Sequence, residues 1–365
     1  MPALIWNTNP WRPGTAGDVR PRACPSDLTS RTAPSTGAGV RALVGLTSRC
    51  YHPPSVLDRP ASASNMVKGG DEGEESCLWC GDLLRVPDRQ TFTAVVCNRC
   101  GVAMTLPRPT DEQLEVAYGA WYRPPSGRFS GPGDYILRLS RGHLARRVDR
   151  LAPAGGVIDV GAGDGTLVDA LLRRGRETLG TERVGTGPFI KGLDIAEVSG
   201  DWAAVVFWHS LEHLSHPADA LAHAVKLLKP GGLLVIAIPN ARSIQTRVFR
   251  QDWFGLDMPR HLVHLNERSL RTRLVELGME VQRVSFTRGG QVFFGWMYGL
   301  VRLLPGHPDL YAAVRRPGAR ANSLRVRNRW LTILAGVLVA PVAFIGAVVE
   351  VSVRNGGTLC LEARR

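Results

Sequence analysis

Residues 157 to 171 read VIDVGAGDGTLVDAL, and this stretch constrains the fold more than any other in the chain. A short apolar run ends in an acidic residue at Asp159, glycines follow at 161, 163 and 165, and an amphipathic helical pattern then opens. The order is strand, tight glycine loop, helix N-terminus. Glycines there let the backbone turn with positive φ and let a ligand lie against main-chain N–H groups, while the first helical turn supplies unpaired donors. A plain strand-to-helix turn fits the same residues, so the flanking sequence must discriminate.

A nicotinamide or flavin dinucleotide site needs G-x-G-x-x-G/A, its third small residue packing helix against strand. That place holds Thr166. The chain continues with GRETLGTE, a second short strand ending in Glu182, where a doubly wound fold puts the carboxylate that accepts both ribose hydroxyls. KGLDIAE then places Asp194 at the end of a third strand. AAVVFWHSLEHL gives a buried strand from Ala203 to Trp208 running into His209 and the LEHL turn, and LKPGGLLVIAIPN sets a Pro-Gly-Gly turn before a fifth strand.

With its G-x-G-x-G spacing and an Asp two residues before the first Gly, this series resembles the class I S-adenosylmethionine-dependent methyltransferases. The resemblance implies cofactor contacts at Asp159, Gly161, Gly163, Gly165, Glu182, Asp194 and His209. Toward the C-terminus WFGLDMPRHLVHLNERSLRTRLVELGMEVQRV is similar to the P-R-H-L-x-H segment of one bacterial subgroup, methyltransferase domain type 23, which also carries a zinc-ribbon-like head worded like CLWCG and CNRCG here. It covers about residues 77 to 300 and returns at TLCLEARR, which resembles the closing strand of the sheet, paired with EVQRVSF. The implied fold is α/β: a doubly wound, seven-stranded Rossmann-like sheet with a small N-terminal zinc ribbon and a hydrophobic helical insertion before the last strand.

Cysteine spacing bears on the head independently. Cys77-x2-Cys80, sixteen residues, then Cys97-x2-Cys100 is four-thiolate zinc spacing, with a glycine after each pair. Two disulfides or four free thiols are the other readings; zinc is preferred because no secretory signal is legible. Four thiolates leave no open position, so the metal is structural. Cys360 falls in the closing strand as core, and Cys24 and Cys50 have no partner pattern.

The expected units are a disordered leader at 1–65, rich in Pro, Ser, Thr and Arg, the head at 66–108, and a connecting helical or lid segment at 109–151. The methyltransferase domain follows at 152–287 plus 357–365, interrupted by a hydrophobic, basic insertion at 288–356. A transit peptide is the second reading of the leader, opposed by its prolines. Hydrophobic residues make up 44% of the 365, enough for a sizeable core.

Methyl transfer is an in-line displacement from an activated sulfonium, so the protein must align the acceptor and remove its proton. Histidines cluster after the fourth and fifth strands, at the ends where ligands bind an open α/β sheet. The expected general base is His261, then His213, with His264 a third candidate; a hydrogen-bonded structural role is the competing reading for each. Glu212 would orient a neighbouring His and Arg260 would hold an acceptor phosphate or carboxylate. Tyr118, Trp121 and Tyr122 form an aromatic patch in the connecting segment, either a lid and acceptor platform or a domain seal.

Between 241 and 329 stand 16 Arg against six acidic residues, most of the net charge of +13. Long apolar runs interrupt them, which fits a membrane surface or a phosphorylated substrate and not a nucleic-acid groove. Leu331 to Val349 is 19 uncharged residues, close to the ~20 that span a bilayer core, preceded by Arg315, Arg316, Arg320, Arg325, Arg327 and Arg329. A single span conflicts with return of TLCLEARR to the sheet. Either residues 291 to 304 form a partner helix, or Pro341 and Gly346 break the segment into a re-entrant or interfacial hairpin, or the segment is a buried cap. The expected protein is thus a cytoplasmic, membrane-associated methyltransferase using S-adenosyl-L-methionine and structural zinc. Its acceptor is a small-molecule, glycan or lipid-linked hydroxyl. The alternative is a non-catalytic, zinc-anchored membrane adaptor with a degenerate fold.

Overall fold

The computed structural model describes residues 6–7, 73–86, 91–119, 122, 127–183, 188–287, 290–319 and 328–365. Trp121, Arg320, Arg325, Arg327 and nearly all of the leader lie outside them; of the leader, Trp6–Asn7 are described, as a short strand antiparallel to Thr93–Val96.

Seven strands form the central sheet: β1 (Val157–Val160), β2 (Thr178–Thr181), β3 (Ile190–Lys191), β4 (Trp202–Trp208), β5 (Leu228–Pro239), β6 (Glu280–Ser285) and β7 (Thr358–Arg364). Their order is β6-β7-β5-β4-β1-β2-β3. The run from β5 to β3 is parallel, and β7 lies antiparallel to both its neighbours. Glu280 pairs with Arg364 and Ser285 with Cys360, so the last residues of the chain close the sheet. The Pro-Gly-Gly segment does not precede β5 as a turn. It lies inside the strand as an irregularity between Leu228 and Leu233, with Gly231 at φ +73°.

Side chains alternate across this sheet with period two. Ile158, Val205, Phe207, Ile236 and Leu361 enter one core, while Val157, Ala204, Val206, Val235 and Cys360 enter the other. Both faces are covered, which is why β1 and β4 read as unbroken apolar runs. Nine helices are described: α1 (Asp111–Ala117), α2 (Gly133–Leu151), α3 (Thr166–Leu172), α4 (Pro217–Leu227), α5 (Ile244–Phe249), α6 (Glu267–Glu276), α7 (Gln291–Arg302), α8 (Leu310–Val314) and α9 (Arg329–Ser352). Residues Leu144 and Val148 of α2 and Leu167 and Leu171 of α3 fill the second core; Leu221 of α4 and Leu270 of α6 fill the first.

The cysteine head shares that first core. Its hairpins, Glu74–Ser76 with Leu83–Arg85 and Thr93–Val96 with Ala103–Leu106, contribute Cys77, Trp79, Cys97, Met104 and Leu106 to it. Ala103–Leu106 also pairs with Val263–His264 from the far side of the α/β domain.

Between β6 and β7, α9 runs as one continuous helix through Pro341. The expected break at Pro341 and Gly346 is therefore absent. A proline forfeits one backbone hydrogen bond, and here packing along α7 holds the helix together. Gly346 serves that packing, since a Cβ there would meet Trp296 at 2.6 Å. Both ends of α9 are tied to the domain. Arg329 donates to the Ala313 carbonyl and to Ser130, and Glu350, fully buried, accepts from Gln245 and Trp296. Both ends of the helix are thus held on the same domain. It is not a buried cap, because Val337, Leu338, Val342 and Ile345 are each more than half exposed. The cationic flank is corrected as well. Arg315 is 2% exposed, donates to the Tyr122 carbonyl and Tyr311 hydroxyl, and Arg316 donates to the Phe129 carbonyl.

Candidate active site

The strand order reverses between β1 and β4, and at the carboxyl ends of these strands lies a cavity of about 1420 Å³. Gly161, Gly163 and Gly165, at φ of +72°, +65° and +72°, form one wall. Any L-residue would be strained there, and a Cβ at Gly161 would also meet Ser210 at 2.6 Å. Glu182, just beyond β2, accepts from the Gly163 N–H at 2.7 Å and faces the cavity. Asp194 lines it too, and its carboxylate caps the short turn Ile195–Glu197 by accepting from the Ala196 N–H. His209 completes the set. Asp159 differs from expectation: it is 3% exposed within β1 and does not reach the cavity wall.

The opposite side carries Tyr118, Tyr122 and His213. Tyr118 follows α1 directly, and that helix begins at a capping box in which Thr110 and Gln113 exchange hydrogen bonds with each other's backbone. Its hydroxyl stands 2.9 Å from His213 Nδ1, its ring meets Tyr122 edge-on, and the Arg183 guanidinium lies over its face. Burial raises its phenol pKa above the ordinary value. The loop before α2 supplies Arg128, paired at 2.9 Å with Asp164 of the glycine loop, so two walls of the cavity are joined. Sequence reasoning missed this pair, because Arg128 sits in a Pro/Gly stretch without a periodic pattern.

Behind the wall lies a second group. After Trp208 the chain turns through His209 at φ +54°, a strained conformation for a non-glycine residue, into the turn Leu211–His213. The segment 257–264 packs on this turn: Leu262 N–H donates to the Glu212 carbonyl. His261 then stands with its ring centroid 4.6 Å from that of His213, its Nε2 4.0 Å from Glu212 Oε1 and 3.7 Å from Asp257 Oδ2. The Gly255 carbonyl, which can only accept, lies 2.9 Å from His261 Nδ1, and the Arg260 carbonyl 2.9 Å from His213 Nδ1. Both rings therefore carry hydrogen on Nδ1, where His213 also meets the Tyr118 hydroxyl, and in the neutral form the lone pair is on Nε2. Glu212 is 2% exposed, and His209 Nδ1 approaches its carboxylate to 3.4 Å. Burial would raise its carboxyl pKa; His209, His213 and His261 together hold it below the usual range. Burial and His261 push the His213 imidazole down to about 4.

Of the three histidines expected to act as base, only His213 lines the cavity; His261 is one layer behind. His264 is corrected to a structural role. It lies in the two-residue strand paired to the head, 4% exposed, with Nε2 3.0 Å from Thr105 Oγ1. Arg260 is committed: its guanidinium forks onto Asp257, donates to the Ala117 carbonyl and stacks on Tyr122, so it organises the aromatic wall instead of waiting for an anion. Asp257, missed from sequence, sits one helical turn before His261.

The four cysteines meet as the spacing implied. Cys77 and Cys100 sulfurs are 3.7 Å apart, Cys80 and Cys97 3.6 Å. A tetrahedral ion with ~2.3 Å bonds to sulfur has edges of about 3.8 Å. In each Cys-x2-Cys-Gly turn the glycine N–H donates to the first cysteine's carbonyl, with the glycine at positive φ. The donor set and geometry fit zinc.

Comparison with known proteins adds the following. Residues 135–284 match a family model described as a methyltransferase domain. The ubiquinone biosynthesis O-methyltransferase of Ruegeria pomeroyi is 29% identical over 126 residues, 29% of this chain and 51% of that protein. The chain thus spans about half the length of that curated relative. Among solved structures, an S-adenosylmethionine-dependent methyltransferase from Archaeoglobus fulgidus is similar at 17% identity and a TM-score of 0.36, covering 62% of this chain and 93% of its own. The cyclopropane synthase MmaA2 of Mycobacterium tuberculosis gives 15% and 0.40, covering 62% and 84%.

Proposed function

We propose that residues 135–284, which match a methyltransferase domain, are of the class I S-adenosylmethionine-dependent kind, and that the chain transfers a methyl group to a hydroxyl on a small-molecule, glycan or lipid-linked acceptor. One observation carries this reading: Gly161, Gly163, Gly165, Glu182, Asp194 and His209 form the wall of a single cavity at the switch point of the sheet. The cofactor, when bound, supplies a methyl group on a cationic sulfur. The glycine loop would lie along it, Glu182 would accept from its ribose hydroxyls, and Asp194 would stand at its adenine. The acceptor enters beside Tyr118 and Tyr122, whose rings offer a flat apolar surface. A histidine of the cluster takes the acceptor's proton, and His213 is the one on the wall. The relative's name, an O-methyltransferase of ubiquinone biosynthesis, supports a hydroxyl acceptor on a lipid-linked molecule.

Zinc in the four-cysteine head belongs to the same proposal, as a closed structural site. So does contact with a membrane surface, through the exposed apolar face of α9 lying flat on the bilayer.

The test is calorimetric titration with S-adenosylmethionine and S-adenosylhomocysteine, followed by a donor-labelled assay on membrane extract. Wild type should bind both and label a lipid-soluble product. Gly163→Val should lower affinity by at least ~100-fold, because its backbone is left-handed. Absence of binding by wild type would overturn the reading and leave the non-catalytic adaptor; unchanged affinity in Gly163→Val would detach the glycine loop from the cofactor.

A further inference from the structure

We infer that Glu212, His213 and His261 form a second metal site, one that takes a divalent transition-metal cation at the acceptor end of the cavity. One ligand atom from each of the three lies within 4.8 Å of the others. The inference rests on what these atoms offer one another. Both imidazoles carry hydrogen on Nδ1, where the Arg260 and Gly255 carbonyls accept it. His261 Nε2 and the buried Glu212 carboxylate, which His209 Nδ1 approaches to 3.4 Å, therefore stand together with the His213 ring in one small group. With both rings neutral these groups offer only acceptors to one another, and a cation between them relieves that repulsion.

The second coordination layer is built as such sites are built. A ligating histidine has its other nitrogen fixed by a backbone carbonyl or carboxylate, and both do here. Two imidazoles and one carboxylate select zinc(II) or iron(II) over the hard cations magnesium and calcium. An ion with bonds of ~2.1 Å sets its ligands about 3.4 Å apart. Side-chain rotation by an ångström or less closes the 4.0 Å between His261 and Glu212 to that spacing. Three ligands leave at least one position open, and the group borders the cavity through His209, Ser210 and His213.

What the ion does there rests on the methyltransferase reading; its presence does not. An acceptor hydroxyl bound at the open position loses its proton to cavity water, as metal-bound water does near neutral pH. The resulting oxygen anion forms the new C–O bond while the methyl–sulfur bond breaks and its electron pair stays on the neutral thioether. The cation thus takes over the work otherwise left to a bare histidine base.

The experiment counts metal in full-length protein carrying no polyhistidine tag, after reconstitution with zinc, with iron(II) under anaerobic conditions, and with magnesium. Two transition-metal equivalents per chain are expected, against one for Glu212→Gln, which keeps the side-chain shape, and one for His261→Ala. With cobalt(II) as probe, the thiolate charge-transfer band of the four-cysteine site should persist in Glu212→Gln while the weaker visible bands of the second ion disappear. Zinc should also raise the melting temperature of wild type beyond the first equivalent, and fail to do so in Glu212→Gln. A single equivalent in reconstituted wild type, a site filled by magnesium alone, or two equivalents in Glu212→Gln would overturn the assignment. S-adenosylhomocysteine titrated into the same samples separates the two ideas. Its binding stands or falls with the methyltransferase reading and should be unchanged in Glu212→Gln.

Discussion

The four-cysteine head and the Glu212, His213 and His261 group both bring donor atoms within 4.8 Å of one another, by opposite means. In the head, two hairpins each present a Cys-x2-Cys-Gly turn, so the donors come from short local loops and number four, a full set for a tetrahedral ion. In the second group, two donors leave the end of β4 and the third arrives on the 257–264 segment, held by the bond from Leu262 N–H to the Glu212 carbonyl. Of this group His213 borders the cavity. With ions bound as proposed, local chain geometry would give a closed structural site and tertiary assembly an open one suited to chemistry.

The two regions are also joined. Ala103–Leu106 of the head pairs with Val263–His264, and Thr105 Oγ1 donates to the His261 carbonyl at 2.6 Å. Three changes test whether the join matters. The largest effect is expected from Cys97→Ser. Its side chain is fully buried in a core shared with Ile158 and Leu265, so metal loss should destabilise the whole chain, by about 5 kcal/mol or roughly 10–20 °C in melting temperature. Scanning calorimetry that showed the head melting alone, with the remainder unmoved, would make the two regions independent.

A smaller effect is expected from Thr105→Val. It strips the hydrogen bonds to the His261 carbonyl and to His264 Nε2, leaving buried groups unpaired at a cost of about 1–3 kcal/mol. Because His261 moves with its backbone, turnover should fall more than S-adenosylhomocysteine affinity, while the cobalt thiolate band stays intact. Equal losses in both would mean that the strand pairing serves stability only.

The smallest change in stability, within ~0.5 kcal/mol per site, is expected from combined Leu338→Ser, Val342→Ser and Ile345→Ser. These share one exposed face of α9 and touch neither donor group. Flotation with vesicles of a neutral and an anionic phospholipid should nevertheless lose the variant from the lipid layer. Retention equal to wild type would remove α9 from the membrane proposal.

Much of this was legible in the sequence. The glycine triplet, Glu182 and Asp194 could be placed because strand ends and tight turns have short-range signatures, and all of them line the cavity. The thiolate cluster followed from spacing. Sequence did less well wherever a residue's partner lies far along the chain. His264 looks like a ligand-facing histidine beside His261, but strand pairing with the head turns its ring to Thr105. Arg315, in what reads as a cationic flank, is drawn into the interior by the Tyr122 carbonyl and the Tyr311 hydroxyl. Asp257 and Arg128 carry no local pattern, and both matter only through what they face.

By itself, then, the sequence determined the alternation of strand and helix, the glycine loop with its acidic companions, the two thiolate turns and an apolar helix long enough to raise the question of a membrane. Each depends on periodicity or on conformational demands within a few residues. Only the tertiary structure decided which histidine reaches the cavity, that Glu212 is buried beside His209 and His261, that Arg260 is spent on Asp257, and that α9 is fastened at both ends. Those outcomes turn on burial and on distances between remote segments, and a side chain's charge, tautomer and freedom to bind are set by the groups that surround it after folding.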